Sequence, residues 1–182
     1  MSKSILLPIH PEWCEKIFRG EKTIEVRKSK PKLKTPFKCY VYCTKDNIDI
    51  SPKRIWWRSD RTGFKHIMNG KVIGELVVDE IVEIPFENEY TKSYDISDDD
   101  LLLTCLTQEQ LWEYGKGKTL YGWHITDAKL YDKPRELSEF FAACKQPKGT
   151  DCSVCRDNRE YTCKPLSRPS QSFCYVEELH NA

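Results

Sequence analysis

"RGEKTIEVRKSKPKLK", Arg19 to Lys34, is the stretch whose reading decides the fold. Within it Lys22, Ile24 and Val26 alternate with Thr23, Glu25 and Arg27, and Lys28, Lys30, Lys32 and Lys34 follow. Alternation with period two predicts a half-buried strand. Ile24 and Val26 take the core face, and Thr23, Glu25 and Arg27 share the other. Lys22 falls at the turn into the strand, close enough to join them. Such a set is either a solvated sheet face with a surface Glu25–Arg27 salt bridge, worth little by itself, or a preset hydrogen-bonding surface for a polar ligand.

Outward from that strand the chain alternates turn chemistry with apolar runs. "SILLPI" reads as a first strand and "HPEWCEKIFRGEK" as a short helix, with Pro11 in its first turn and Gly20 at its C-terminal stop. "FKCYVYCTK" and "KVIGELVVDEIVEIPF" are strands, and the segment from Asp46 to Lys71 breaks periodicity as an insertion carrying Trp56 and Trp57. "SYDISDDDLLLTCL" and "TQEQLWEYGKG" each hold a short helix, the first with an Asp-rich opening turn that suits the helix dipole. "TLYGWHITDAKLYD" is a long strand, "KPRELSEFFAAC" a loop with a helical turn, and "SFCYVEEL" a closing strand. Strands that do not alternate regularly with helices predict an α+β fold around a mainly antiparallel, barrel-like sheet with flanking short helices.

The 182 residues suit one domain with an elaboration. Five Trp, nine Tyr and seven Phe supply a real core and argue against global disorder. No apolar run approaches the ~18 residues of a transmembrane span, and "MSKSILLPIHPEW" is no signal peptide. A cytoplasmic location is therefore expected. The net charge of +1 hides an asymmetry: residues 1–71 carry 17 Lys/Arg against 7 Asp/Glu, while residues 72–127 carry 3 against 13. The basic half either suits a phosphate-bearing partner or is neutralised by the acidic half in the fold.

Four segments beside the opening stretch carry a resemblance. Gly20, Lys22, Glu25 and Arg27 match a Gly-x-Lys-x-x-Glu-x-Arg motif position for position. "KCYVYCTK", "GKVIGELVVDEI", "YGWHITDAKLYDKPRELSEF" and "SRPSQSFCYVEE" follow in the same order as similar strands of phage and bacterial proteins. Together they resemble the ASCH domain, the activating signal cointegrator homology family of the PUA-like superfamily. The resemblance implies a PUA-like β-barrel over residues 1–143 plus 164–182, with 144–163 a Cys-rich insertion. It also implies a cleft lined by the motif that binds RNA or a modified nucleoside. Some small ASCH-like proteins remove the acyl group from N4-acylated cytidine, using a threonine on the motif strand as nucleophile beside the motif lysine. Here Glu25 stands at that threonine's position and Thr23 is one residue after Lys22.

The residues themselves support binding more directly than catalysis, and an interaction protein with a vestigial cleft is the third reading. Arg27 offers a planar fork for a phosphate or base edge, Lys22 a point charge and Glu25 an acceptor for exocyclic amines. For an amide hydrolase the catalytic candidates are Lys22 and Glu25. Lys22 needs a pKa lowered by burial or by Arg27, against the pull of Glu25. The ligand-binding candidates are Lys22, Thr23, Glu25, Arg27, Thr44, Trp57 and Trp123, with Tyr42 a further stacking surface. Trp123 has core packing as its alternative, and His124 reads as a structural histidine. Cys14, Cys39, Cys43 and Cys105 read as packed thiols. Cys144, Cys152, Cys155 and Cys163 read as four thiolate ligands for a structural zinc, holding a segment too polar to hold itself. Reduced thiols or a disulfide are the alternatives. No P-loop, Rossmann turn or Ser/His/Asp arrangement is present in the sequence.

Overall fold

Ile5, Leu6, Leu7 and Ile9 are almost completely enclosed. A strand apolar on both faces belongs inside a sheet, and β1 (Lys3–Ile9) does lie between two neighbours. It pairs antiparallel with β10 (Cys174–Glu177), Lys3 opposite Glu177, and parallel with β3 (Phe37–Cys43), Ile5 opposite Cys39. A parallel neighbour requires a crossover, and that crossover is α1 (Pro11–Phe18) followed by β2 (Ile24–Arg27). This computed structural model describes residues 3–45, 56–58, 65–144 and 164–179.

The remaining elements are β4 (Trp56–Arg58), β5 (Lys65–Ile67), β6 (Lys71–Ile84), β7 (Phe86–Asn88), β8 (Ser93–Tyr94), α2 (Asp98–Thr104), α3 (Gln108–Gly115) and β9 (Leu120–Arg135). A 3₁₀ turn, Leu137–Glu139, precedes β10. The main sheet has six strands in the order β10-β1-β3-β6-β9-β2, and β4-β5 and β7-β8 are separate two-stranded ribbons. The fold is thus mixed α+β, as expected. The expected closed barrel does not follow from these pairings: among the described residues no ladder joins β10 to β2. The two ribbons are the elements that sequence periodicity missed, being only two or three residues long on each side.

The chain forms two compact units, Met1–Cys14 with Cys39–Glu75 and Leu130–Ala182, and Glu15–Lys38 with Leu76–Lys129. In the first, Leu6, Tyr40, Tyr42, Val72, Phe140 and Val176 form the core, where Tyr40 and Phe140 meet edge to face at 5.0 Å. In the second, Val26 packs with Ile84, Tyr94, Leu111 and Leu120. The helices of this second unit are fixed at their ends. Ser97 Oγ accepts from the Asp100 N–H at 3.1 Å to cap α2. Thr107 and Gln110 cap α3 reciprocally, each side chain accepting the other's backbone N–H. Gln108 ties α3 to β8, accepting from the Tyr94 N–H and donating to the Tyr94 carbonyl.

Candidate functional site

Gly20 ends α1 with φ +75°, and no atom lies within 4 Å of where its Cβ would be. Its role is therefore conformational: a left-handed residue turns the chain out of the helix and into β2. The Gly20 N–H donates to the Ile17 carbonyl at 3.0 Å, and Glu21 and Lys22 N–H donate to the Lys16 carbonyl. This turn delivers Lys22 into the protein. Its side chain is only 2% exposed.

Nζ of Lys22 donates to the carbonyl oxygens of Ile24 at 2.8 Å and Thr104 at 2.6 Å. Glu25 Oε2 lies 3.4 Å away. An ammonium has three donors, so this one is engaged on the chain's own groups. Thr104 is the last residue of α2, where carbonyls lack helical partners, and the cation meets that need. The Thr23 N–H adds a second tie to the same helix end, donating to the Leu103 carbonyl at 3.1 Å. Burial lowers the Lys22 pKa below its usual 10.5, with Glu25 opposing and Arg27 reinforcing the shift.

Glu25 is the middle of a three-charge chain. Its Oε1 lies 3.1 Å from Arg27 Nε, and both side chains are nearly enclosed. All four residues of β2 are buried, so of the two readings of this face the solvated one does not hold. The reason lies opposite: Glu25 pairs in register with Trp123 of β9, and Arg27 with Tyr121. Directly opposed residues of an antiparallel pair share a face, so aromatic side chains flank the charges. Trp123 is fully enclosed and meets Phe37 edge to face at 5.8 Å. It is a core residue, and the sequence-based stacking role does not fit that enclosure. His124, opposite Ile24, places Nδ1 2.8 Å from Asp79 Oδ1, a structural pairing of the kind expected.

Two tyrosines beside this chain of charges were absent from the sequence candidates. Tyr114, on α3 and 37% exposed, bonds to the Lys28 backbone and feels the charges of Arg27 and Glu25. Burial is the main cause of its raised pKa. Lys28 Nζ stands 4.6 Å from the Tyr114 ring centre, and Lys30 Nζ 5.2 Å from that of Tyr121, which are cation–π distances. The signal that would have found Tyr121 is its register opposite Arg27. No local pattern marks Tyr114.

The remaining candidates fall in the first unit. Thr44 closes β3, its N–H donating to the Ile9 carbonyl and its hydroxyl 3.5 Å from His10 Nδ1. Tyr42 is buried, and desolvation raises its pKa. Trp57 sits in β4 opposite His66. Of the four proposed zinc ligands, Cys144 is half-buried, while Cys152, Cys155 and Cys163 lie outside the described residues. Cys14, Cys39 and Cys43 are buried, as expected of packed thiols, and Cys105 is half-buried with Sγ 3.4 Å from the Glu21 carbonyl oxygen.

The fold is that of known ASCH structures. The crystal structure of ASCH from Zymomonas mobilis superposes with a TM-score of 0.57 at 15% identity, covering 96% of this chain and 88% of that one. The S128A mutant protein from the same organism gives 0.58 at 16% identity, covering 96% and 89%. The family model of the ASCH domain matches residues 7–146. The chain belongs to the ASCH domain family. No curated protein matches it. Among the described residues no helix is long and apolar enough to cross a membrane.

Proposed function

We propose that this protein is a binding module for RNA or a modified nucleoside, organised around Arg27. The observation that supports this reading most is the buried Lys22–Glu25–Arg27 chain of charges. A carboxylate that holds a guanidinium in one orientation prepares it for planar recognition of a phosphate or base edge. Tyr114 and Tyr121 stand beside it as aromatic faces, and Lys28 brings exposed positive charge, as does Lys30, which shares its charge with Glu83 at 2.8 Å. Aromatic faces interleaved with cations are what single-stranded RNA requires. Lys22, Thr23 and Glu25 serve in this reading by positioning, with Lys22 anchoring β2 to α2.

Filter binding to single-stranded RNA across a salt series tests the reading. Affinity falls with added salt as counterions are released. Lys30→Ala and Lys32→Ala weaken binding modestly and lower the salt slope. Arg27→Ala costs about 1–3 kcal/mol, the range of a bidentate contact. RNA and nucleoside binding absent at low salt, or indifferent to Arg27→Ala, would sink the proposal.

One observation favours a second reading, an amidohydrolase acting on an N4-acylated cytidine-type nucleoside. Burial lowers the pKa of Lys22, as a catalytic base requires. Against it, two carbonyls already hold the nitrogen. Incubation with N4-acetylcytidine separates the readings, since only the enzyme releases cytidine. The zinc assignment to Cys144, Cys152, Cys155 and Cys163 is a separate proposal. Elemental analysis finds one equivalent per chain if it holds, and Cys152→Ser with full metal content refutes it.

A further inference from the structure

The first unit carries a pocket of about 540 Å³ that includes none of the motif residues. That volume falls in the roughly 300–1,000 Å³ range of small-molecule sites. Tyr42, Lys45, Gly70, Glu136 and Arg168 line it, and Thr44, Ser138 and Ser167 belong to the same wall. Leu137, Leu166 and Pro169 supply apolar surface for an organic body.

The charges of this pocket are unevenly committed. Glu136, the one carboxylate among the described residues that line it, already forms an ion pair with Lys71. Lys45 and Arg168 have no ion-pair partner among the described residues. Lys45 is also placed by its surroundings. A Cβ on Gly70 would lie 2.9 Å from both Cγ and Cε of Lys45, so the lysine stem crosses directly over the glycine. Gly70 itself has φ +83° and donates its N–H to the Cys43 carbonyl at 2.7 Å. Tyr42 remains a neutral phenol here, because burial raises its pKa.

We infer that this pocket binds a phosphomonoester, its dianion facing Lys45 and Arg168 with the Thr44, Ser138 and Ser167 hydroxyls as further donors. Two cations without an ion-pair partner among the described residues match a dianion better than a single carboxylate. The phosphate belongs either to a free mononucleotide or to the 5′ end of an RNA strand, which share this chemistry. The inference stands on the pocket alone and does not require the Arg27 reading.

Isothermal titration of the full chain with CMP, with cytidine, and with tricytidylate bearing either a 5′-phosphate or a 5′-hydroxyl provides the test. CMP binds and cytidine does not. Lys45→Ala and Arg168→Ala each weaken CMP about tenfold, the loss of one charge-assisted contact. Gly70→Ala reproduces the Lys45→Ala loss by displacing the lysine stem, and Lys133→Ala changes nothing. A 5′-phosphorylated trinucleotide that outcompetes CMP identifies the strand end as the source; CMP binding alone identifies the mononucleotide. CMP and cytidine binding equally, neither phosphate probe binding, or full CMP affinity in the Lys45→Ala/Arg168→Ala double variant overturns the inference. Loss of CMP with Arg27→Ala but not with that double variant also overturns it, assigning the phosphate to the motif.

Discussion

Lys22 of the second unit gives its ammonium protons to two backbone carbonyls and sits behind Glu25. Lys45 of the first unit is exposed, its stem across Gly70 and its charge unpaired by any described carboxylate. The two residues have the same chemistry and opposite environments. A motif recognisable in sequence has its lysine working as a joint between a strand and a helix end. The lysine available for a ligand lies in no motif at all. Pattern therefore marks the buried lysine of the second unit and passes over the exposed lysine of the first.

The sharpest way to break this contrast is Lys22→Met. It leaves the Ile24 and Thr104 carbonyls and part of Glu25 without their cation, and losses of about 3 kcal/mol follow when a buried pair is broken. Lys45→Met, on an exposed side chain, stays within about 0.5 kcal/mol. Urea unfolding compares the two, and equal stability of both variants would dissolve the contrast. Glu25→Gln falls between them at about 2 kcal/mol, since Lys22 and Arg27 then face one another without the intervening charge.

Alkaline titration sharpens the same point with a smaller effect. The folded Lys22 pKa lies below 10.5, so over the window between the two values the unfolded chain binds more protons. Wild-type stability therefore rises relative to Lys22→Met as pH climbs through that window. The tyrosines act oppositely. Tyr131 has a raised pKa from burial and from its bond to Glu75. Its contribution is complete below the ordinary value of 10.0 and is lost above it. Subtracting the Lys22→Met curve from the wild-type curve removes the tyrosine term. A flat difference would mean that Lys22 is not desolvated. Gly20→Ala loses about 1 kcal/mol, because the site has room for a methyl but φ +75° does not suit alanine.

Much of this structure was legible beforehand. Apolar and aromatic runs located β1, β3, β6, β9 and β10, and the Asp-rich turn at Asp98–Asp100 marked the start of α2. Local signals suffice where an apolar run is long or a helix turn carries its own charge pattern. The ribbons β4-β5 and β7-β8 were invisible because three residues do not establish a period. The face assignment around Ile24–Arg27 failed in one respect. Alternation correctly put Ile24 and Val26 inward, yet Glu25 and Arg27 are buried too, because Trp123 and Tyr121 oppose them from 98 and 94 positions away. Register across such a distance is set by tertiary packing and leaves no trace in a window of ten residues. Tyr114 was missed for the same reason.

The tie between Lys22 and Thr104 spans 82 positions of chain. The distant partners that give the motif its geometry come from Leu103 onward, in the α2 end, Tyr114 and the β9 register. On a ribosome the motif emerges early and waits, its cation still in water, until the helix and strand that receive it have been made. Contacts of such separation also form late in refolding, because a long loop must close first. The eight-residue motif transplanted alone into another protein would accordingly carry the spelling of the site without its structure. A functional graft has to bring residues 15–38 and 76–129 together.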